Sequence, residues 1–262
     1  MAQGRLYHYT DLQTLALILN NQTIRFSPLT RLDDPQEKET ADVPNFGQSI
    51  FVSCWTQSKT ESIPMWDMYS SLENGVRISL PHDPFESPAT PSASKPGIPV
   101  VCGAHNGRFE VKRLFPGKSM ACVGTISAFP ISYTDNNDLL KPTMRNDELG
   151  RLYLDRTAIG RYKNPHWEFQ QEFRYLIDAT NWIEFKTDDP GKEVIEHAER
   201  IREGAPLDLP NFIDLSINPT ALEQLEVALS PKMTLGNRLL AAHLLAHYPF
   251  ASLIPSELEG RL

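Results

Sequence analysis

Apolar residues recur at helical spacing early in the chain. Leu12, Leu15, Ile18 and Leu19 follow Asp11 and precede Asn20-Asn21. This spacing predicts a helix that Asp11 caps and Asn20-Asn21 ends. Alternating stretches flank it, so residues 5–10 and 23–27 read as strands. Residues 49–56 form a nearly continuous apolar run and predict a buried strand. Residues 64–69 predict a short helix with proline in its first turn. Asn74-Gly75 then turns the chain into a strand over 76–80.

The pattern changes at residue 81. Six prolines with serines and alanines predict a surface loop over 81–100. Strands are expected over 108–114 and 120–134, a loop over 139–143 and a helix over 148–161. Residues 167–177 alternate in their second half, as a strand does. A charged helix is expected over 191–204, a strand over 208–216, and helices over 219–229 and 235–247. The pattern predicts an α+β fold with mixed or antiparallel sheets and flanking helices. It divides the chain into a main domain over 1–190 and a mostly helical extension packed on it over 191–262. That extension is a candidate surface for a partner or for self-association.

Composition narrows the classes. The chain has 262 residues, 40% of them hydrophobic, with Lys+Arg 25 against Asp+Glu 33 and a formal charge of −8. This excludes collagen-like and disulfide-scaffold proteins. It gives the chain as a whole no attraction to nucleic acid, although a local basic cleft stays open. Three cysteines, Cys54, Cys102 and Cys122, fit a reducing compartment better than a disulfide framework. With no apolar run near 18 residues and no secretory pattern at the front, a cytoplasmic protein is expected, without a membrane partner.

Several segments carry candidate chemistry. Tyr7-His8-Tyr9-Thr10 places an imidazole between aromatic rings at a strand end. Ser53 and Thr56 put hydroxyls late on an apolar strand, and Cys54 between them reads as packed. Period two puts Gln170, Glu172 and Arg174 on one strand face, an unusual decoration beside Trp167, Phe169, Phe173, Tyr175 and Ile177. Asp33-Asp34-Pro35-Gln36-Glu37 matches no full calcium loop and reads better as acidic capping of a helix start. His243 and His247 lack the glutamate of a zinc-protease helix and read as an ordinary helix face. No metal site is expected. Arg25, Arg31 and Arg77 are candidates for phosphate contact through guanidinium geometry.

Taken in order, several motifs resemble a bacterial family known only as a domain of unknown function, number two-nine-seven-one. They are residues 6–10, Ile24-Arg25-Phe26-Ser27, Asp33-Asp34-Pro35-x-Glu37, residues 51–56, Met65-Trp66-x-x-Tyr69, Gly75-Val76-Arg77-Ile78 and Trp167-x-x-x-x-Glu172-Phe173-Arg174. The resemblance spans roughly residues 5–180 and carries no activity with it.

More distantly, His8, Ser53 and Glu172, with Gln170 two residues before the glutamate, resemble the ordered signature of ADP-ribosyltransferase-like proteins. That resemblance implies a split β-sandwich and NAD as the substrate. The nicotinamide–ribose bond would be cleaved and ADP-ribose passed to a protein or nucleic-acid acceptor. A toxin or phage-defence effector is the implied setting. Glu172 would bond the ribose 2′-OH and stabilise an oxocarbenium-like state. His8 would hold the adenosine ribose. Ser53 would support Glu172 or the nicotinamide side. Tyr9 or Tyr69 would stack on nicotinamide, Gln170 would contact the acceptor, Arg25 a phosphate, and Thr10 would complete the cofactor-binding strand end. Ser53-Cys54-Trp55-Thr56 departs from the family's usual Ser-Thr-Ser.

Two other readings stand beside it. One is a non-catalytic ligand- or peptide-binding module whose pocket is built from Tyr7, Tyr9, Trp55, Trp66 and Trp167. The other is a metal-dependent enzyme using Asp33, Asp34 and Glu37.

Overall fold

The computed structural model describes residues 4–85, 120–146, 153–154, 157–181 and 190–262. The chain opens with β1 (Arg5–Asp11), α1 (Leu12–Asn21) and β2 (Thr23–Pro28), and continues with β3 (Ile50–Thr56), α2 (Ile63–Tyr69) and β4 (Gly75–Pro81). Then come β5 (Met120–Pro130), β6 (Ser132–Tyr133), α3 (Asn137–Leu140), β7 (Arg145–Asn146), β8 (Tyr153–Leu154), β9 (Tyr162–Lys163) and β10 (Glu172–Asn181). The last elements are α4 (Pro190–Arg202), β11 (Ile213–Ser216), α5 (Pro219–Leu222), β12 (Glu226–Leu229), α6 (Leu235–Ala246) and β13 (Ser252–Ile254).

Local signals fix the first half. Asp11 Oδ1 accepts from Thr14 N at 2.7 Å, so the cap forms as the sequence predicts. Helix α1 ends on Gln22, which takes the left-handed conformation at φ 53° and returns its N–H to Ile18 O. Leu12, Leu15, Ile18 and Leu19 then face Phe26, Ile78, Phe173 and Tyr175 in the larger of two main apolar clusters. Ser62 caps α2, with Pro64 in its first turn.

The fold is mixed α+β. One nine-stranded sheet runs β11-β2-β3-β1-β4-β12-β13, and β10 joins through β3 with β5 beside it. Its ladders are antiparallel except that between β12 and β13. Both faces of β10 are covered. Phe173, Tyr175 and Ile177 enter the larger cluster, while Leu176 packs with Ile50, Val52 and Phe129 in the second.

The sheet opens at β3. Ser27 and Pro28 of β2 pair with Val52 and Phe51 at one end of β3, and β1 reaches only its far end, at Tyr7↔Thr56. Between those contacts neither strand pairs with the edge of β3. Instead the His8 ring bonds the Cys54 carbonyl across the gap, Nδ1 to O at 2.8 Å.

The late elements differ from the pattern-based expectation. Residues 191–262 give strands β11, β12 and β13 to the main sheet besides helices α4 and α6. Helix is limited to one turn in 219–229, because Val227 and its neighbours close the open edge of β4. A sheet edge left bare would strand its backbone groups. Of the helix expected over 148–161, the described residues are strand β8, which pairs with β7 just before that stretch, and a turn with Gly160 at φ 73°. Beyond Phe85, the loop expected over 81–100 and the strand over 108–114 lie outside the described residues. No helix among the described residues is long and apolar enough to cross a membrane.

Candidate active site

A cavity of about 220 Å³ occupies the opening between β1, β2 and β3. Tyr7, His8 and Tyr9 line it from β1, and Arg25 and Ser27 from β2. Ser53, Cys54 and Trp55 line it from β3, and Tyr69 from α2. Asp33, Lys163, Gln170 and Glu172 complete it.

Glu172 is the first residue of β10 and is buried. Arg174 Nε donates to its Oε1 at 2.7 Å, and Lys163 Nζ to its Oε2 at 3.1 Å. A second buried carboxylate, Glu37, stands 2.6 Å from Arg174 and 3.1 Å from Lys163. These last two are close ion pairs rather than aligned hydrogen bonds. The four residues form a compensated cluster, which is what allows charges to stay buried. Burial raises the Glu172 pKa, but Arg174 and Lys163 outweigh it and hold the carboxyl below its usual range. Burial lowers Lys163 in turn, and Glu172 with Glu37 bring it above the usual lysine value. Glu172 is therefore a fixed anion.

Its neighbours are equally fixed. The Cys54 thiol lies beside the same carboxylate, and burial with the Glu172 charge pushes that thiol well above its usual pKa. A thiolate nucleophile is disfavoured there. Glu172 N donates to Tyr133 Oη at 2.9 Å. Gln170 Oε1 accepts from Lys163 at 2.8 Å, and its amide nitrogen donates to Tyr69 Oη. Tyr69 lies near Asp33, and burial with the Asp33 charge raises its pKa. A hydrogen-bonded chain thus runs from Tyr69 through Gln170 and Lys163 to Glu172.

His8 is held from the other side. A carbonyl only accepts, so the neutral ring carries its proton on Nδ1 and leaves Nε2 as an acceptor. Burial lowers its pKa more than the bond to Cys54 raises it. Its ring lies 5.2 Å from Trp55.

The structure redistributes the expected roles. Glu172, Gln170, His8, Tyr9, Arg25, Ser53 and Tyr69 all line the cavity, but Thr10 does not. Thr10 is a buried strand residue opposite Val76. Ser53 pairs with Tyr175 and accepts from the Trp55 indole at 3.0 Å, on the face opposite Glu172. Cys54, in register with Arg174, takes the place beside the glutamate. Gln170 is not on the strand of Glu172. It ends a 3-10 turn, Pro165–Gln170, and the left-handed Gln171 at φ 42° swings the chain into β10. Both ends of its amide are occupied. Arg25 is bidentate to Asp214, at 2.9 and 3.0 Å, and lies over the Phe212 ring. Arg77 lies behind the cavity wall, its guanidinium over the Tyr7 ring and its NH2 donating to Ser58 O and Lys59 O.

The acidic run does not open a helix: residues 35–38 are a turn in which Asp34 accepts from Gln36 N. Among the described residues no group of three His, Cys, Asp or Glu side chains is arranged to hold a metal ion. Sequence reasoning left out Lys163 altogether. It also gave Glu37 a capping role. Glu37 lies in a run of charges and Lys163 two residues after Arg161, so neither stood out in the sequence.

Compared with protein-family models, with curated proteins and with solved structures, the chain matches none. The functional reading rests on the geometry of this cavity.

Proposed function

We propose that the chain is an ADP-ribosyltransferase-like enzyme that binds NAD in the opening of the sheet and cleaves its nicotinamide–ribose bond. The observation that carries this reading is the cavity at the point where β1 and β2 part from β3. It is lined both by a fixed carboxylate, Glu172, and by an imidazole with a free acceptor nitrogen, His8. Glu172 would take the ribose 2′-OH and face the positive charge that develops as nicotinamide leaves. His8 Nε2 would accept from a hydroxyl of the second ribose. Tyr7, Tyr9 and Tyr69 offer aromatic surface for the flat rings. Arg25 lies where a phosphate would compete with Asp214. Cys54 replaces Ser53 as the side chain supporting the glutamate.

Incubation of the purified chain with NAD, following nicotinamide release, tests the reading. Release that is lost in Glu172→Gln supports it, and a wild-type chain that binds NAD without turning it over overturns it. One observation favours the second reading, a binding module without chemistry. Lys163 and Arg174 already neutralise Glu172, which weakens its effect on a developing cation. That reading predicts retained NAD and no nicotinamide.

A further inference from the structure

Cleavage with transfer to an acceptor needs a group that takes the acceptor's proton. Glu172 is a poor choice: two cations bond its oxygens. Gln170 is not basic, and both ends of its amide are engaged. Lys163 is held as a cation by two carboxylates. His8 lies on the Trp55 side of the opening, away from the face that carries Glu172. Asp33 is different. It lines the same cavity, is solvent-exposed, and lies near Tyr69, which is bonded through Gln170 and Lys163 to the glutamate. The Gln170 amide donates to the Tyr69 oxygen, which leaves the phenol proton available to an acceptor in the cavity.

Resting on the NAD-cleaving reading, we propose that Asp33 is the general base that deprotonates a hydroxyl acceptor, water being the simplest one. The oxygen of the hydroxyl bonds to the ribose carbon C1′. The C1′–nitrogen bond breaks, and its electron pair neutralises the pyridinium, so nicotinamide leaves uncharged. The hydroxyl proton passes to the Asp33 carboxylate. Because Asp33 is exposed, the acceptor reaches it from solvent while the ribose is held further in. A hydroxyl suits this arrangement: its proton becomes acidic only as its oxygen bonds to carbon, where a nearby carboxylate can take it.

The test uses Asp33→Ala and Asp33→Asn in the full chain, with NAD as the probe. Binding is read from tryptophan fluorescence, and nicotinamide release is read with and without added formate. The expected result is unchanged NAD binding and a kcat lower by about 100-fold or more. Formate restores turnover of Asp33→Ala in proportion to its concentration. Circular dichroism confirms folding, which removal of an exposed side chain leaves intact. Full turnover in both variants overturns the base while leaving NAD cleavage standing. Loss of NAD binding, or loss of turnover that formate does not restore, also overturns it, because Asp33 would then be a binding or structural residue. A wild-type chain that releases no nicotinamide overturns the cleavage reading and this inference with it.

Discussion

Ser53 and Glu172 stand on opposite faces of the same sheet. Ser53 is in register with Tyr175, whereas Glu172 is opposite Thr56, and alternate residues of a strand face opposite ways. Ser53→Ala therefore removes the acceptor of the Trp55 indole and leaves the glutamate untouched. The expected result is a loss of about 1 kcal/mol in stability with nicotinamide release retained. Urea denaturation and the NAD assay check the two halves.

Glu172 variants separate charge from fold. Alanine leaves Lys163 and Arg174 with one buried carboxylate between them, at a cost of about 3–5 kcal/mol. Glutamine keeps a hydrogen-bonding group in place and costs less. If the NAD reading holds, Glu172→Gln is the informative variant, with release lowered by about 100-fold in a chain that still melts cooperatively. A fully active Glu172→Gln would remove the glutamate from the chemistry.

Stability should fall in two acid steps. His8 has a lowered pKa when folded, so as pH drops below 6.5 the unfolded chain takes up its proton first. Stability present above that pH is then lost down to the folded value. Glu172, also lowered, contributes stability above its reference value of 4.5 that is lost as pH falls further, through its folded value. Urea midpoints between pH 8 and pH 3 measure both. His8→Gln should abolish the upper step and spare the lower one.

Arg25 is shared between a carboxylate and the cavity. Its pair with Asp214 is half exposed and contributes no more than about 1 kcal/mol to stability. Asp214→Asn frees the guanidinium, and tighter NAD binding is expected. Arg25→Ala should weaken it. Fluorescence titration of both variants distinguishes competition for the arginine from a purely structural pair.

Glu61 holds a distant part of the chain. It accepts from the Trp66 indole at 3.0 Å, from Ser256 Oγ at 2.6 Å and from Glu257 N at 3.0 Å, and lies 4.0 Å from buried Arg77. Glu61→Ala strands these groups, and a loss of about 3–5 kcal/mol is expected. Hydrogen exchange should show residues 255–258 released before the sheet opens.

How much was legible in the sequence follows from the range of each signal. Asp11 acts on an atom three residues away and Pro64 sits in the first turn of its own helix, so both helices were predicted within a residue or so. The segment Glu226–Leu229 reads as a helix in isolation, and only the bare edge of β4 makes it a strand. Glu172 and His8 were singled out by residue type, strand position and the resemblance, and both line the cavity. The period-two reading of Gln170 failed because Gln171 takes a left-handed turn that no alternation reveals. Lys163 and Glu37 were out of reach, since charge pairing across the fold leaves no spacing to read.

The opening beside β3 also governs how the site comes into being. Its walls come from strands near the start of the chain, but its floor needs Lys163 and β10, which pairs with β3 over seven residues from Glu172↔Thr56 to Asp178↔Ile50. On a ribosome the walls emerge long before the floor. Until β9 and β10 are in place, Glu37 has neither cation to meet, and Cys54 has no carboxylate beside it. Assembly of the site therefore waits on a distant strand pairing, and topology rather than helix propensity sets its pace.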